Sequence, residues 1–359
     1  MLMKVVSSRL SPAILPISLS FSRLLSVKYS PQRLTLFFSI SSRASSASVE
    51  SKSRVRVVSV VEKDTKNILA CPICYNSLAA LNIHPHGSVE APAYGTELHC
   101  RTCKKSYSAN ETHLDLAVSS GIKHYTEPLP LSIELFRNPL VSFLYERGWR
   151  QNFMWGGFPG PEKEFEMAKE YLNNVLGGNI IDASCGSGMF SRLFAKSEHF
   201  AMVFALDYSE NMLRQCYEFL KQEASLTIKK KLVLARADIA RLPFLSGSVD
   251  AVHAGAALHC WPSPSSAVAE ISRVLRPGGV FVATTFIYDG LFRFVPFLKD
   301  IRQEVMRYSG SHMFLCEREL EDLCKSCGLV GFTCVRNGLF IMLSATKPSK
   351  IIAPSYKEL

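Results

Sequence analysis

Short apolar runs punctuate the middle of the chain, and each reaches an acidic residue. N-I-I-D-A at 179–183 contains Asp182, the run at 202–206 stops at Asp207, and the run at 232–235 is followed by Asp238. Continuous apolar stretches of this length, bounded by turn residues, predict strands buried on both faces, as in a parallel sheet. A fourth strand is predicted within S-V-D-A-V-H-A-G and a fifth over 280–286. Helical spacing is seen instead from Leu135 to Trp149, and E-R-E-L-E-D-L-C-K-S-C-G predicts a helix beginning near Glu317 and ended by Gly328.

The turn after the first of these strands carries the candidate chemistry. In D-A-S-C-G-S-G, Gly186 and Gly188 let the backbone bend sharply and approach a ligand that a Cβ would block. The helix that follows offers free amides. Alone, this pattern fits many α/β proteins, and the later acids narrow it. Ligands of doubly wound sheets bind at the carboxyl ends of the strands, where Asp207 is placed to accept both ribose hydroxyls and Asp238 to take an adenine amino group.

The ordered set D-A-S-C-G-S-G, L-D-Y-S-E-N-M-L, A-D-I-A-R-L-P-F, S-V-D-A-V-H-A-G-A-A-L-H-C-W and R-V-L-R-P-G-G resembles the class I S-adenosylmethionine-dependent methyltransferases over residues 165–347. A dinucleotide dehydrogenase is the competing reading, disfavoured by Asp182 inside the turn, by L-P-F after Asp238 and by R-V-L-R-P-G-G. The resemblance implies an α/β, Rossmann-like seven-stranded sheet ending in an antiparallel hairpin. It also implies cofactor contacts from Asp182, Ser184, Gly186, Gly188, Asp207, Tyr208, Met212, Asp238 and Ile239. Ser184 departs from the family, standing where the first glycine of the turn belongs. A serine is expected to survive there with a negative φ, its hydroxyl facing the cofactor carboxylate.

Composition changes the picture at the amino terminus. Residues 1–49 hold fourteen serines, six Lys or Arg, and no acid before Glu50, which reads as an organelle transit peptide extending to about residue 55. Serine abundance favours the chloroplast, with the mitochondrion as the alternative. Removing those six basic residues from the net charge of +10 leaves +4, a weak electrostatic case for nucleic acid. No run reaches the roughly 20 apolar residues of a membrane helix, so a soluble or peripheral protein is expected.

Eleven cysteines in a reducing compartment argue against a disulfide framework. C-P-I-C at 71–74 and C-R-T-C at 100–103 have the spacing of a zinc ribbon, with Cys71, Cys74, Cys100 and Cys103 closing a structural Zn2+ site. His84, His86 and His99 are expected to be surface residues beside it. Cys324 and Cys327 share the spacing but fall on the helix near Glu317, one in the core and one at its surface. A ribbon ahead of such a sheet is similar in architecture to bacterial rRNA guanine methyltransferases, which implies an RNA base as one acceptor.

The acceptor side is expected in two aromatic covers. Residues 119–164 form a bridge or lid with Phe136, Trp149, Phe153, Trp155 and Phe158, and 288–313 mixes Phe292, Phe294 and Phe297 with basic residues. His259 in A-L-H-C-W is the candidate acceptor-side base, with a packed histidine as the alternative. The whole chain is similar to plant chloroplast methyltransferases, some of them plastoglobule-associated, and its core to the ubiquinone/menaquinone methyltransferase group. The expected organisation is transit peptide 1–55, ribbon 66–118, bridge 119–164, methyltransferase domain 165–347 and tail 348–359. The expected acceptor is a small or prenylated lipophilic molecule. The alternatives are an rRNA base and a non-catalytic cofactor-binding partner, and peripheral membrane or lipid-droplet contact belongs to the first reading.

Overall fold

The computed structural model describes residues 68–80, 97–122, 124, 138, 151–223, 231–287 and 315–349. The transit segment, His84 and His86, Phe136 and Trp149 of the bridge, the cover at 288–313 and the tail beyond 349 lie outside them.

The apolar runs become adjacent strands because each is buried from both sides. Strands β5 (Asn179–Ala183), β6 (Met202–Asp207), β7 (Leu232–Arg236), β8 (Val249–Ala254) and β9 (Leu275–Phe286) are parallel, in the order β7-β6-β5-β8-β9. An antiparallel hairpin of β10 (Val330–Asn337) and β11 (Phe340–Thr346) completes the seven strands by pairing β11 with β9. β9 begins at the R-P-G-G motif, five residues before the predicted strand.

Successive side chains point to opposite faces, and two apolar layers result. Ile180, Val203, Ala205 and Leu234 pack with α2 (Pro161–Leu172), α3 (Met189–Lys196) and α4 (Glu210–Glu223), after a short α1 (Gln151–Trp155). Ile181, Phe204, Leu206 and Val233 face the other way, toward α5 (Pro264–Val274) and α6 (Glu317–Ser326). Phe204 is 1% exposed, and its loss to alanine would cost about 3–5 kcal/mol through lost burial and the cavity left behind. The helix starts follow their local sequence: α2 and α5 begin on prolines, whose missing amide has no partner there to lose. α6 opens with a capping box, in which Cys316 N–H donates to Glu319 at 2.8 Å.

The cysteine segment joins the second layer. β1 (Leu78–Ala80), β2 (Glu97–Cys100) and β3 (Ser106–Ser108) form a small antiparallel sheet, and Leu78, Leu98, Tyr107 and Leu116 share one apolar cluster with Phe204 and Phe244. Residues Leu114–Asp115 then add to β7 as β4, a parallel eighth strand at the sheet edge. Among the described residues no helix is long and apolar enough to cross a membrane.

Candidate functional site: a glycine turn braced by acids and a cysteine centre

The chain leaves β5 on one side of the sheet and returns as β8 beside it after placing β6 and β7, so the end of β5 lies at the topological switch point. There the turn takes three left-handed steps, with φ of +58° at Ser184, +56° at Gly186 and +81° at Gly188. Ser184 therefore does not adopt the expected negative φ. A side chain in this region costs roughly 1–2 kcal/mol, and a tertiary contact offsets that cost: the Trp261 indole N–H donates to Ser184 Oγ at 2.9 Å. Trp261 is 4% exposed, so the hydroxyl is committed to a buried partner contributed by the loop after β8.

Gly188 cannot be otherwise. A Cβ there would lie 2.1 Å from Cys216 Sγ on α4, well inside contact distance. Gly186 N–H donates to Asp207 Oδ2 at 2.8 Å, and Ser209 N–H donates to Oδ1 of the same carboxylate at 2.8 Å. Asp207 thus ties the glycine turn to the end of β6. Burial raises its pKa to about 6, against the opposing pull of the Ser209 and Gly186 amides and with a smaller push from Asp182.

Asp182 sits deeper than its place in the motif indicates. At 1% exposure it accepts from Ser191 Oγ at 2.5 Å, and its other oxygen meets His253 Nδ1 at 2.9 Å. His253 is fully buried between Phe190 and Phe194, and its Nε2 has no hydrogen-bond partner among the described residues. The network Ser191–Asp182–His253 lies beneath the turn and joins β5, α3 and β8.

On the β7 side, Asp238 Oδ1 accepts from Ala240 N–H at 2.8 Å, closing a tight turn in which Arg241 N–H bonds Asp238 O at 2.9 Å. Ile239 packs against the apolar layer beside it. Met212 is buried at the start of α4, where its amide donates to Ser209 Oγ at 3.3 Å. The Tyr208 ring lies under the Arg236 guanidinium, 5.0 Å from it, and lines a polar cavity of about 400 Å³ with Arg214 and Arg236.

His259 occupies a short 3₁₀ turn after β8. Its Nδ1 is 3.0 Å from Thr285 Oγ1 and its ring stands edge-on to Phe286 at 5.3 Å. Phe286 ends β9 and gathers Phe153 and Phe158, with Phe340 behind them, at centroid distances of 4.6–5.2 Å. Trp155, in the same short α1, is 90% exposed. The neighbouring thiols stay protonated: burial pushes Cys260 up to about 12, and burial with Cys216 alongside pushes Cys185 well up.

The four cysteines converge. All of their Sγ atoms lie within 4.8 Å of one another, although the two pairs are separated by 25 residues of sequence. Each Cys-x-x-Cys builds the same turn. Tyr75 N–H bonds Cys71 O at 2.8 Å and Lys104 N–H bonds Cys100 O at 2.9 Å, with left-handed φ at both, +59° and +58°. Cys71 N–H reaches Asn76 O and Cys100 N–H reaches Lys105 O, both at 2.9 Å. Asn76 also donates to Cys74 Sγ and to Thr102 Oγ1, linking the two turns. The Asn76 backbone N–H helps to lower the Cys74 thiol to about 7. His99 bonds Ser106 and stays outside the sulfur set. Cys324 is buried and Cys327 half-buried at the end of α6, as that helix predicted.

A seven-stranded sheet of this order, with a glycine turn at its switch point and an acid after the second parallel strand, defines an S-adenosylmethionine-dependent methyltransferase. The family model described as "Methyltransferase domain" matches residues 181–283. A chloroplastic Arabidopsis thaliana protein, named an uncharacterized methyltransferase, is 73% identical over 97% of this chain and 99% of its own length. A second, likewise named, is 50% identical over 80% of each chain. The demethylmenaquinone methyltransferase of Lactococcus lactis is 29% identical, spanning 59% of this chain and 84% of its own. The chain belongs to this methyltransferase family.

Ser184 Oγ–Trp261, the Ser191–Asp182–His253 network and the bond from the Arg241 side chain to Pro72 O were not assigned from sequence. All three residues that complete them lie inside the quoted motifs, but their partners are chosen by tertiary packing across 77, 71 and 169 positions.

Proposed function

We propose that the protein is a plastid methyltransferase that transfers the methyl group of S-adenosylmethionine to a small or prenylated lipophilic acceptor, with a structural zinc in its four-cysteine centre. The observation that carries the acceptor reading is the ring cluster of Phe153, Phe158 and Phe286 at the carboxyl end of β9, beside His259. An apolar wall at the edge where the methyl donor would bind suits a flat or lipid-like acceptor and excludes water from the transfer. The names of the two Arabidopsis relatives support the plastid, and that of the Lactococcus relative supports a quinone-like acceptor.

The cofactor residues divide the work. Asp207 would accept the ribose hydroxyls, Asp238 and Ile239 would hold the adenine, and the turn from Ser184 to Gly188 would cradle the amino acid end, with Asp182 fixing the turn from beneath. Tyr208 and Met212 would border the nucleoside. Bound S-adenosylmethionine supplies a sulfonium leaving group, so holding the acceptor in line does much of the catalytic work. His259 would take the acceptor's proton. The cysteine set fits zinc because both turns aim two sulfurs at one point and the set is complete without a histidine.

Basic side chains at the seam between ribbon and sheet favour this reading over an rRNA base. Arg236 pairs with Asp115 and Glu210, Arg241 with two backbone carbonyls, and Arg273 with Glu270. Their charge is spent within the fold.

Labelled S-adenosylmethionine given to the purified protein with plastid lipid extract and, separately, with plastid rRNA tests the proposal. Label in one lipid species supports it. Label in rRNA alone would replace it with the RNA reading, and cofactor binding without transfer to either would favour a non-catalytic partner.

A further inference from the structure

Arg241 links two sites that the chain builds far apart. Its Nε donates to Pro72 O at 2.6 Å and its Nη2 to Ile73 O at 2.9 Å, the two residues enclosed by Cys71 and Cys74. Its own backbone amide closes the Asp238 turn. One side chain therefore reads the carbonyls of a cysteine turn while its main chain shapes the turn assigned to adenine.

The surroundings make this link stiff. Ala70 N–H donates to Pro243 O at 2.9 Å and Leu245 N–H to Ile68 O at 2.8 Å, so residues 68–71 run antiparallel to 242–245. The Tyr75 ring, immediately after the cysteine turn, lies 3.9 Å from the Arg273 guanidinium and 5.3 Å from that of Arg241. Glu270 then accepts from Leu242 N–H at 2.8 Å while holding Arg273. The direction of the Pro72 and Ile73 carbonyls is set by the same turn that aims the Cys71 and Cys74 sulfurs. The four sulfurs lie within 4.8 Å of one another, so a shared cation would hold them together, and its removal would let the turn open and rotate those carbonyls away from the guanidinium.

We propose that Arg241 is a positioning residue that couples the cysteine centre to the nucleoside turn, so that metal occupancy sets cofactor affinity. This rests on the cofactor reading above. The metal then contributes to the methyl-transfer site without touching it, through a chain of bonds that has two arrangements.

The test compares full-length wild type, Arg241→Ala and Arg241→Lys, each zinc-loaded and after chelation, by calorimetry with S-adenosylhomocysteine. Zinc-loaded Arg241→Ala should keep its metal yet bind about tenfold more weakly. Chelation should weaken wild type by a similar factor and leave Arg241→Ala no weaker than before, the non-additivity expected of two changes on one path. Arg241→Lys, with fewer donors, should fall between them, and it carries the same comparison if the alanine variant does not fold. Unchanged affinity in Arg241→Ala, or effects of chelation and substitution that simply multiply, would overturn the coupling. Should wild type bind no nucleoside, the cofactor reading fails on its own. Hydrogen exchange at Ala240 and Arg241 then decides the coupling: slowing by zinc in wild type but not in Arg241→Ala upholds it, and equal slowing in both refutes it.

Discussion

Trp261 Nε1 donates to Ser184 Oγ at 2.9 Å, and this bond explains how a serine occupies a left-handed position at φ +58° in the glycine turn after β5. Two terms of opposite sign meet there. Ser184→Gly would relieve roughly 1–2 kcal/mol of backbone strain. It would also leave a buried indole N–H without an acceptor, at about 1–3 kcal/mol, and add glycine's unfolded-state entropy of roughly 0.5–1 kcal/mol. The loss outweighs the gain. Ser184→Gly is expected to lower stability by about 1 kcal/mol in urea denaturation despite restoring the family residue, whereas Ser184→Gly with Trp261→Phe should recover part of that loss. A Ser184→Gly protein more stable than wild type would show that the indole bond contributes little.

Cofactor affinity should depend on pH through Asp207. Its folded pKa of about 6 lies above the usual carboxylate value, so the apo protein takes up a proton as pH falls through 6 and loses the charge proposed to accept the ribose hydroxyls. The sign for stability is opposite. A raised acid favours the folded state while protonated, and this contribution fades as pH rises from about 4 through 6. S-adenosylhomocysteine affinity is therefore expected to be flat above pH 7 and to fall up to tenfold per unit below 6. Binding near pH 6 should release protons, measurable by calorimetry in buffers of different ionisation enthalpy. Asp207→Asn should bind weakly with no such slope, and a persistent slope in that variant would assign the titration to another group.

The sheet was legible because its strands are buried on both faces, so β5, β6 and β7 stand out as unbroken apolar runs with acids at their ends. The cysteine centre was legible because two pairs of two-residue spacing outside any helical pattern, unlike Cys324 and Cys327 at the end of α6, have few other uses. What could not be read was the choice of partner. β4 is two residues long, too short for any periodic signal, and it becomes a strand only because β7 leaves an edge open. The sign of φ at Ser184 is set by a tryptophan 77 residues away, and Asp182 faces a histidine and a serine because α3 and β8 close over it. Such contacts are properties of packing rather than of local pattern.

Gly188→Ala should be among the most damaging single changes in the turn. Its Cβ would meet Cys216 Sγ at 2.1 Å while the backbone sits at φ +81°, combining overpacking with strain for about 3 kcal/mol or more. The two parts are separable. Adding Cys216→Ala removes the sulfur and should restore part of the stability, leaving the backbone cost. If the double variant unfolds at the same denaturant concentration as Gly188→Ala, the clash is not the cause.

Metal removal should cost more than the ribbon alone, since Cys71, Cys100, Leu98 and Tyr107 share their apolar layer with β6 and β7. The purified protein is expected to carry one zinc per chain by elemental analysis, and Cys100→Ser none. Opening the centre should remove on the order of 3 kcal/mol, which for a domain of this size lowers Tm by roughly 6–12 °C. The loss should appear in a single transition that includes the sheet, because Leu69 bridges Phe244 and β4 extends β7. Scanning calorimetry with and without chelator checks this. Two separate transitions, with the sheet's melting point unmoved by the chelator, would show that the ribbon folds apart from the methyltransferase core and that the shared layer transmits nothing between them.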